Sequence, residues 1–451
     1  MFIVIFSAIL VSMATSAPAD DGVHPFHPGK VLFISFDGFR WDYLTRTDTP
    51  NFDWLIANGV TSDHVTSSFL TKTFPVHYTL VTGLYQESHG FVGNDMYDPE
   101  LNVQWSIKSQ IKDATWWDGG EPIWVTNQKQ GFQSGVFQFP GMDLPIGGHK
   151  PTYHLPKYNG DLSNYDVINL IIPLFANNSI NLGVLYFATV EHAGHRHGPE
   201  SIEMIPAIQE SDRTMGYLIT KLNKIGILND INIIVASDHG MTSVSNDNII
   251  RLGDYINSDL CRFIDNNPVY GIWPYDDNNI ETIYQLLVNA NPHMTVYKKA
   301  DIPERFHYKR HRRIPPIIAI ADEHWHIMVG NETSWYKGNH GYDNSLQSMQ
   351  TLFVAHGPAF KKGYHAKTFT AVEYYPMICY ILGIKPAPNN GSLASVMAMF
   401  ASPGSGSIFH ILLPGIIGVC AWLLYAFVQY KITTTTVRPH IETRKSGKKG
   451  L

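Results

Sequence analysis

Three apolar runs, each ending in acidic or imidazole side chains, constrain this chain more than any other feature. VLFISF (31–36) runs into Asp37-Gly38, LGVLYFAT (182–189) into Val190-Glu191-His192-Ala193-Gly194-His195, and INIIVAS (231–237) into Asp238-His239-Gly240. Short continuous apolar runs bounded by turn signals read as strands buried on both faces. A fourth, TLFVAHG, occupies 351–357. Between them, 206–228 places Ile208, Met215, Leu218, Ile219 and Leu222 at helical spacing. Buried strands alternating with helices predict an α/β fold, a mostly parallel central sheet flanked by helices. Sites in open α/β sheets gather at the carboxyl ends of the strands. Asp37, Glu191, His195, Asp238 and His239 are therefore expected at one edge.

Aspartate, glutamate and histidine together are the ligand vocabulary of zinc and similar divalent ions. Singly, an Asp after a strand is usually a turn or cap residue and a His a hydrogen-bonding one. Their recurrence after successive strands is what favours ligation. His340, in Lys337-Gly338-Asn339-His340-Gly341-Tyr342, is a further candidate, because glycine lets a backbone pass close to an ion. Six such ligands suit two metals with three protein residues each. Thr73, in the turn-rich stretch FLTKTFPVHYTLVTGLYQESHG (69–90), reads on composition as an ordinary surface threonine. Beside a two-metal site its hydroxyl would instead be an activated nucleophile, with a helix N-terminus following it to favour an anion.

The ends speak to compartment. Residues 1–16, MFIVIFSAILVSMATS, resemble a secretory signal without Lys or Arg. Residues 408–430, IFHILLPGIIGVCAWLLYAFVQY, carry no Asp, Glu, Lys or Arg and are long enough for a transmembrane helix. The tail at 431–451 is basic, which places it in the cytoplasm. A cleaved lipid-anchor signal is the alternative, but polar residues follow the apolar run. The expected order is signal peptide 1–16, one catalytic domain over 24–400, linker 401–407 (ASPGSGS), membrane helix 408–430 and basic tail 431–451. The sequons at Asn177, Asn331 and Asn390 fit a plasma-membrane, single-pass type I topology with glycosylation outside. There are three cysteines, Cys261, Cys379 and Cys420, and a Cys261–Cys379 disulfide is not expected, since a large core does not need one. Hydrophobic residues make up 44%, enough for a sizeable core, and the formal net charge of −6 argues against a nucleic acid polymer as partner.

FDGFRWDYL, TPNFDWLIANGV, TKTFPVHYTLVTGLYQESHGFVGNDMYDP, WWDGGEPIWVTNQKQG, GHRHGP, ASDHGM, GNHGYDN and PAPNNGS give a more specific signal. Over about 30–395 the chain resembles the ectonucleotide pyrophosphatase/phosphodiesterase family of the alkaline phosphatase superfamily, and specifically its short, membrane-anchored group, the fourth and fifth vertebrate members. The resemblance implies an alkaline phosphatase-like fold and two Zn2+ per chain. Asp37, Thr73, Asp238 and His239 would hold one zinc, and Glu191, His195 and His340 the other. Thr73 would attack phosphorus to give a phospho-threonine ester, which water at the second zinc site would hydrolyse. Asn94 would donate to a phosphate oxygen, Phe74 and Tyr158 would sandwich a nucleobase, and Lys112 would reach the base edge or a distal phosphate. The bland reading of the last three is two core aromatics and a solvated charge. One position departs: the family's Pro-Asp-x-x-Gly-His is Val190-Glu191-His192-Ala193-Gly194-His195 here, so a longer carboxylate must be accommodated.

The implied activity is hydrolysis of extracellular nucleotides or related phosphodiesters to nucleoside 5'-monophosphates, with relevance to purinergic signalling. Two alternatives stand beside it. One is a choline-phospholipid phosphodiesterase, because aromatic pockets also bind choline. The other is a catalytically weak surface relative used in adhesion or signalling, which Glu191 alone favours.

Overall fold

Strand β1 (Lys30–Phe36) has both faces covered. Val31 and Phe33 belong to one apolar core, while Leu32, Ile34 and Phe36 belong to another. Side chains alternate across a strand, so an unbroken apolar run needs a layer on each side. In the computed structural model, which describes residues 29–108 and 113–402, helices supply both layers. Helices α1 (Pro50–Ala57), α3 (Asn164–Ala176) and α5 (Met204–Lys224) pack on the Leu32 side. Helices α2 (Thr73–Thr82) and α6 (Tyr374–Leu382) pack on the Val31 side. Helix α4 (Thr189–His197) directly follows a central strand.

The central sheet has eight strands in the order β12-β2-β11-β6-β1-β5-β3-β4. The remaining seven are β2 (Val60–Ser62), β3 (Ser134–Phe137), β4 (Tyr153–His154), β5 (Leu182–Phe187), β6 (Ile231–Ala236), β11 (Phe353–His356) and β12 (Tyr364–Ala366). β1 pairs in parallel with β5, Val31 opposite Leu182, and with β6, Val31 opposite Asn232. The mostly parallel α/β expectation holds for this sheet. The run at 351–357 is the exception: β11 is inserted antiparallel between β6 and β2. A fully buried strand is apolar throughout whichever way it runs, so composition does not reveal its direction.

A second sheet was not foreseen. β7 (Cys261–Asn266), β8 (Val269–Pro274), β9 (Met294–Lys298) and β10 (Ile317–Ala321) form an antiparallel sheet in the order β7-β8-β10-β9, with its own apolar cluster. Its β7–β8 turn reaches the site described below. Cys261 and Cys379 are both buried and unpaired. The expected signal (1–16), membrane helix (408–430) and tail (431–451) lie outside the described residues, as do Lys112 and most of the linker. Among the described residues, no helix is long and apolar enough to cross a membrane.

A short hairpin, Asp95–Asp98 with Val103–Ser106, follows Asn94 and is tied down by charge. Asp98 is fully buried and accepts from Arg313 Nε at 2.8 Å and Arg312 Nη2 at 2.8 Å. Arg313 also donates to the carbonyls of Gly90 and Trp116. Burial pushes the Asp98 carboxyl upward, but the two guanidinium groups outweigh it and hold it well below the usual carboxylate range. Removing one member of a buried pair leaves the other uncompensated. Asp98→Asn is therefore expected to lower unfolding stability by about 3 kcal/mol or more in urea titrations. Because the folded-state value is depressed, the wild-type carboxylate's contribution is present above the ordinary Asp range near pH 4 and is lost as pH falls below it. The gap between wild type and variant should accordingly narrow in acid.

Candidate active site and metal centre

β6, β1 and β5 are neighbours in the sheet, so their carboxyl ends bring Asp238 and His239, Asp37, and the start of α4 to one edge. α4 places Glu191 and His195 four residues apart, hence on one face. They are thus helical residues, not loop residues directly after the strand. Thr73 is the first residue of α2: Lys72 before it is extended, Pro75 falls in the first turn where its missing N–H is not needed, and Gly83 at φ +66° closes the helix. Nearly all of α2 is buried, so its fixed N-terminus points into the site rather than to bulk solvent. His340 directly follows a two-residue strand, Gly338–Asn339, that pairs antiparallel with Thr242–Ser243, and its Nδ1 lies 2.8 Å from the Thr71 carbonyl.

Asp37, Glu191, Asp238, His239 and His340 are all buried, and Thr73 nearly so. Thr73 Oγ1 stands 3.5 Å from His239 Nε2. His239 Nε2 is 2.9 Å from Asp238 Oδ2 and 3.4 Å from Asp37 Oδ1. Glu191 Oε1 is 2.7 Å from His195 Nε2 and 3.2 Å from His340 Nε2. The rings of His239 and His340 stack with centroids 3.5 Å apart, bringing the two groups side by side. Ligand atoms of Glu191, His195 and His340 converge within 4.8 Å of one another, as do those of Asp37, Glu191 and His239.

The histidines are oriented for ligation. His195 Nδ1 faces the Gly338 carbonyl at 2.8 Å, His239 Nδ1 the Gly240 carbonyl at 3.0 Å, and His340 Nδ1 the Thr71 carbonyl. Each Nδ1–H donates to that oxygen, which leaves the lone pair on Nε2. Those lone pairs then face carboxylate oxygens, which are acceptors too. Asp37 Oδ1, Glu191 Oε2 and Asp238 Oδ2 are buried without a hydrogen-bond partner. Lone pair against lone pair at these distances is relieved by a shared cation, so the donor set fits divalent metal.

Without a cation the buried charges lean on one another: Asp238 outweighs burial at His239 and raises that imidazole. Burial, with Asp238 and Glu191 adding repulsion, pushes the Asp37 carboxyl well above its ordinary value. Burial acts the same way on Glu191, but His195 and His340 outweigh it and hold that carboxyl low. His239 and His77 do the same for Asp238. Burial drops the His340 imidazole to about 3, so it stands neutral, as a ligand must. The longer carboxylate at 191 has room because residue 38 has no side chain: a Cβ there would come within 2.3 Å of Glu191 Oε2.

Asn94 Oδ1 accepts from the Phe74 amide at 3.0 Å, which ties its side chain to the residue after Thr73 and leaves the donating role to Nδ2. Phe74 is half-buried against Phe91, Trp105 and Trp117 at 5.6–5.9 Å, so its inner face belongs to the core. Tyr158 is 51% exposed and meets Tyr186 edge-on at 6.3 Å. It is therefore not a core aromatic. Asn177, Asn331 and Asn390 are all exposed.

Two supporting residues escaped the sequence reading. His77, one turn after Thr73 in α2, lies 2.7 Å from the Thr73 carbonyl through Nδ1, 2.9 Å from Ser35 Oγ through Nε2, and 3.3 Å from Asp238. The Tyr186 hydroxyl donates to Asp37 Oδ2. The i, i+4 spacing of Thr73 and His77 was a usable signal. Tyr186 gave none, since a tyrosine inside an apolar strand reads as core.

Residues 31–343 match the family described as Type I phosphodiesterase / nucleotide pyrophosphatase. The human ectonucleotide pyrophosphatase/phosphodiesterase family member 5 is 44% identical over 392 residues, covering 86% of this chain and 82% of that protein. The human bis(5'-adenosyl)-triphosphatase ENPP4 is 45% identical over 370 residues, covering 81% and 80%. Murine family member 5, solved as an inactive threonine-to-alanine form in complex with AMP, superposes with a TM-score of 0.80 at 43% identity, over 83% of this chain and all of that one. With buried carboxylates and histidines at the strand ends and a threonine at a helix N-terminus beside them, the chain belongs to the ectonucleotide pyrophosphatase/phosphodiesterase family of metallohydrolases.

Proposed function

We propose that this chain is a membrane-anchored ectoenzyme with two zinc ions that hydrolyses nucleotide phosphodiester or phosphoanhydride bonds, through a phospho-threonine intermediate, to release nucleoside 5'-monophosphates. The observation that carries this reading is the hydroxyl of Thr73 at the N-terminus of α2, 3.5 Å from an imidazole nitrogen that faces buried carboxylates. Asp37, Thr73, Asp238 and His239 would hold one zinc, and Glu191, His195 and His340 the other. When bound, the two ions supply Lewis-acid activation of the attacking oxygens and neutralise charge on the transferring phosphate.

The chain's own groups account for the rest. Thr73 Oγ1 attacks phosphorus and the bond to the leaving-group oxygen breaks, so the nucleoside phosphate becomes an ester of Thr73. Water then attacks the same phosphorus, Thr73 departs as a hydroxyl, and the nucleoside monophosphate is released. Asn94 Nδ2 donates to a non-bridging oxygen throughout, and the α2 N-terminus favours the same charge. Phe74 and Tyr158 offer aromatic faces for the base, and Lys112 a cation for its edge or a distal phosphate. The AMP complex of a relative favours a nucleotide, and the triphosphatase name of ENPP4 relatives favours a dinucleoside polyphosphate among the candidates. The apolar segments at 1–16 and 408–430 and the three exposed sequon asparagines support placement of the catalytic body outside the cell.

Thr73→Ala should fold normally and lower kcat for diadenosine triphosphate by at least about 10³-fold, because it removes the nucleophile and none of the core. Turnover near the wild-type rate would mean that water attacks directly. A choline phosphodiester cleaved faster than any nucleotide would reassign the substrate.

Glu191 is the second test. Glu191→Ala is expected to lose about one equivalent of zinc by elemental analysis together with most activity. Glu191→Asp should retain both metals and turnover within about tenfold, with altered zinc affinity. Two bound zinc ions and full turnover in the Ala variant would show that another group completes the site.

A further inference from the structure

The β7–β8 turn of the small sheet touches the segments that carry three of the proposed reacting groups. Asn266 Oδ1 accepts from the Asp95 amide at 3.0 Å, and its Nδ2 donates to the Asp95 carbonyl at 2.7 Å, so one side chain grips both ends of that residue's backbone. Gly93 lies flush against the same side chain: a Cβ there would be 2.6 Å from Asn266 Nδ2. Asn94 is therefore held from both sides. The next residue serves the other two segments. The carbonyl of Asn267 accepts from Lys72 Nζ at 2.6 Å and from Asn339 Nδ2 at 3.3 Å. Lys72 directly precedes Thr73, and Asn339 directly precedes His340. Gly341, just after His340, packs against Lys72 and Pro268, where a Cβ would come within 2.5 Å of Lys72 Cε and 3.0 Å of Pro268.

The turn itself is anchored. Asn267 N donates to Asp265 Oδ1 at 2.8 Å, Asn267 Oδ1 accepts from Ile327 N at 3.0 Å, and Asn267 Nδ2 meets His326 Nδ1 at 2.9 Å. Asn266 is buried, so its amide has no water to exchange these bonds with.

We infer that Asn266 is a positioning residue for phosphoryl transfer, and that the Asn266–Asn267 turn is the reference point against which Asn94, Thr73 and His340 are aligned. This rests on the proposed role of Asn94. Asn266 touches no reacting atom. It acts by holding the 93–95 backbone so that Asn94 Nδ2 stays aimed at the phosphate oxygen while Asn94 Oδ1 remains bonded to the Phe74 amide. A donor displaced by about 1 Å can cost up to about 10²-fold in rate, so the alignment matters more than the stability it adds.

The test is a double-mutant cycle on the full-length chain, with kcat and KM for the p-nitrophenyl ester of thymidine 5'-monophosphate measured per folded molecule. Asn266→Ala is expected to lower kcat by about tenfold or more with KM changed by less than about threefold. In an Asn94→Ala background the same change should cost less than about twofold, because the group it positions is gone. Asn266→Asp keeps the acceptor for the Asp95 amide and loses the donor to its carbonyl. It sets a carboxylate oxygen against that carbonyl, so its kcat loss should be at least as large, and it carries the same cycle if the Ala variant does not fold. An equal cost in both backgrounds, with Asn94→Ala itself impaired, would overturn the positioning role alone and reduce Asn266 to a structural residue. Wild-type turnover in Asn94→Ala would overturn this inference together with the role given to Asn94, while leaving Thr73 as nucleophile to be judged by its own variant.

Discussion

Acceptor facing acceptor inside a dry edge of the sheet is the constraint on which the rest of this structure depends. Asp37, Glu191 and Asp238 are buried beside imidazole nitrogens whose protons are committed to backbone carbonyls on the far side of the ring. A buried charge without a partner is far too costly to persist as such. The donor set therefore fits a frame for cations. Gly38 leaves room for the Glu191 carboxylate, and the Tyr186 hydroxyl occupies the second oxygen of Asp37. His77 ties the first turn of α2 to the Asp238 side of the site.

The placement of Thr73 follows from the same economy of positions. A hydroxyl on a surface loop would be mobile and fully hydrated. At the first position of a buried helix it is fixed, and its neighbouring amides point the same way as the hydroxyl is needed. The Phe74 amide is one of those orphan donors, and Asn94 satisfies it, so a single hydrogen bond both caps the helix and orients the side chain beside it. Local stability and the proposed catalytic geometry are here the same interaction. The small antiparallel sheet extends this logic, since its turn at Asn266–Asn267 contacts segments that are distant in sequence but adjacent at the site.

Much of the site was legible because its ligands sit at positions that the sheet topology makes predictable. Asp37 and Asp238 with His239 follow apolar runs, and a parallel sheet delivers such residues to one edge. Glu191 and His195 were legible as a pair, although their helix was not separated from the strand before it. Neither His340 nor Asn94 was legible from periodicity: the glycines beside His340 made it a candidate, while only motif resemblance singled out Asn94. Tyr186, Asn266 and Asn267 gave no signal: a tyrosine in an apolar strand looks like core, and two asparagines before a proline look like any turn. The direction of β11 escaped for a related reason, because burial on both faces erases the alternation that would report its environment.

By itself, then, the sequence determined the α/β class, the strands that end at the site, and the identity of nearly every group able to hold a metal. Those depend on local pattern and on residue chemistry, which the chain carries in one dimension. The tertiary structure decided which ligands share an oxygen, which ring nitrogen of each histidine keeps its lone pair, and which backbone carbonyl takes the proton from the other. It also decided that a longer carboxylate fits at position 191 and that a turn some 170 residues from Asp95 holds its backbone. Hydrogen bonds and close packing depend on distances of tenths of an ångström between segments far apart in the chain, and no spacing along a sequence encodes those distances.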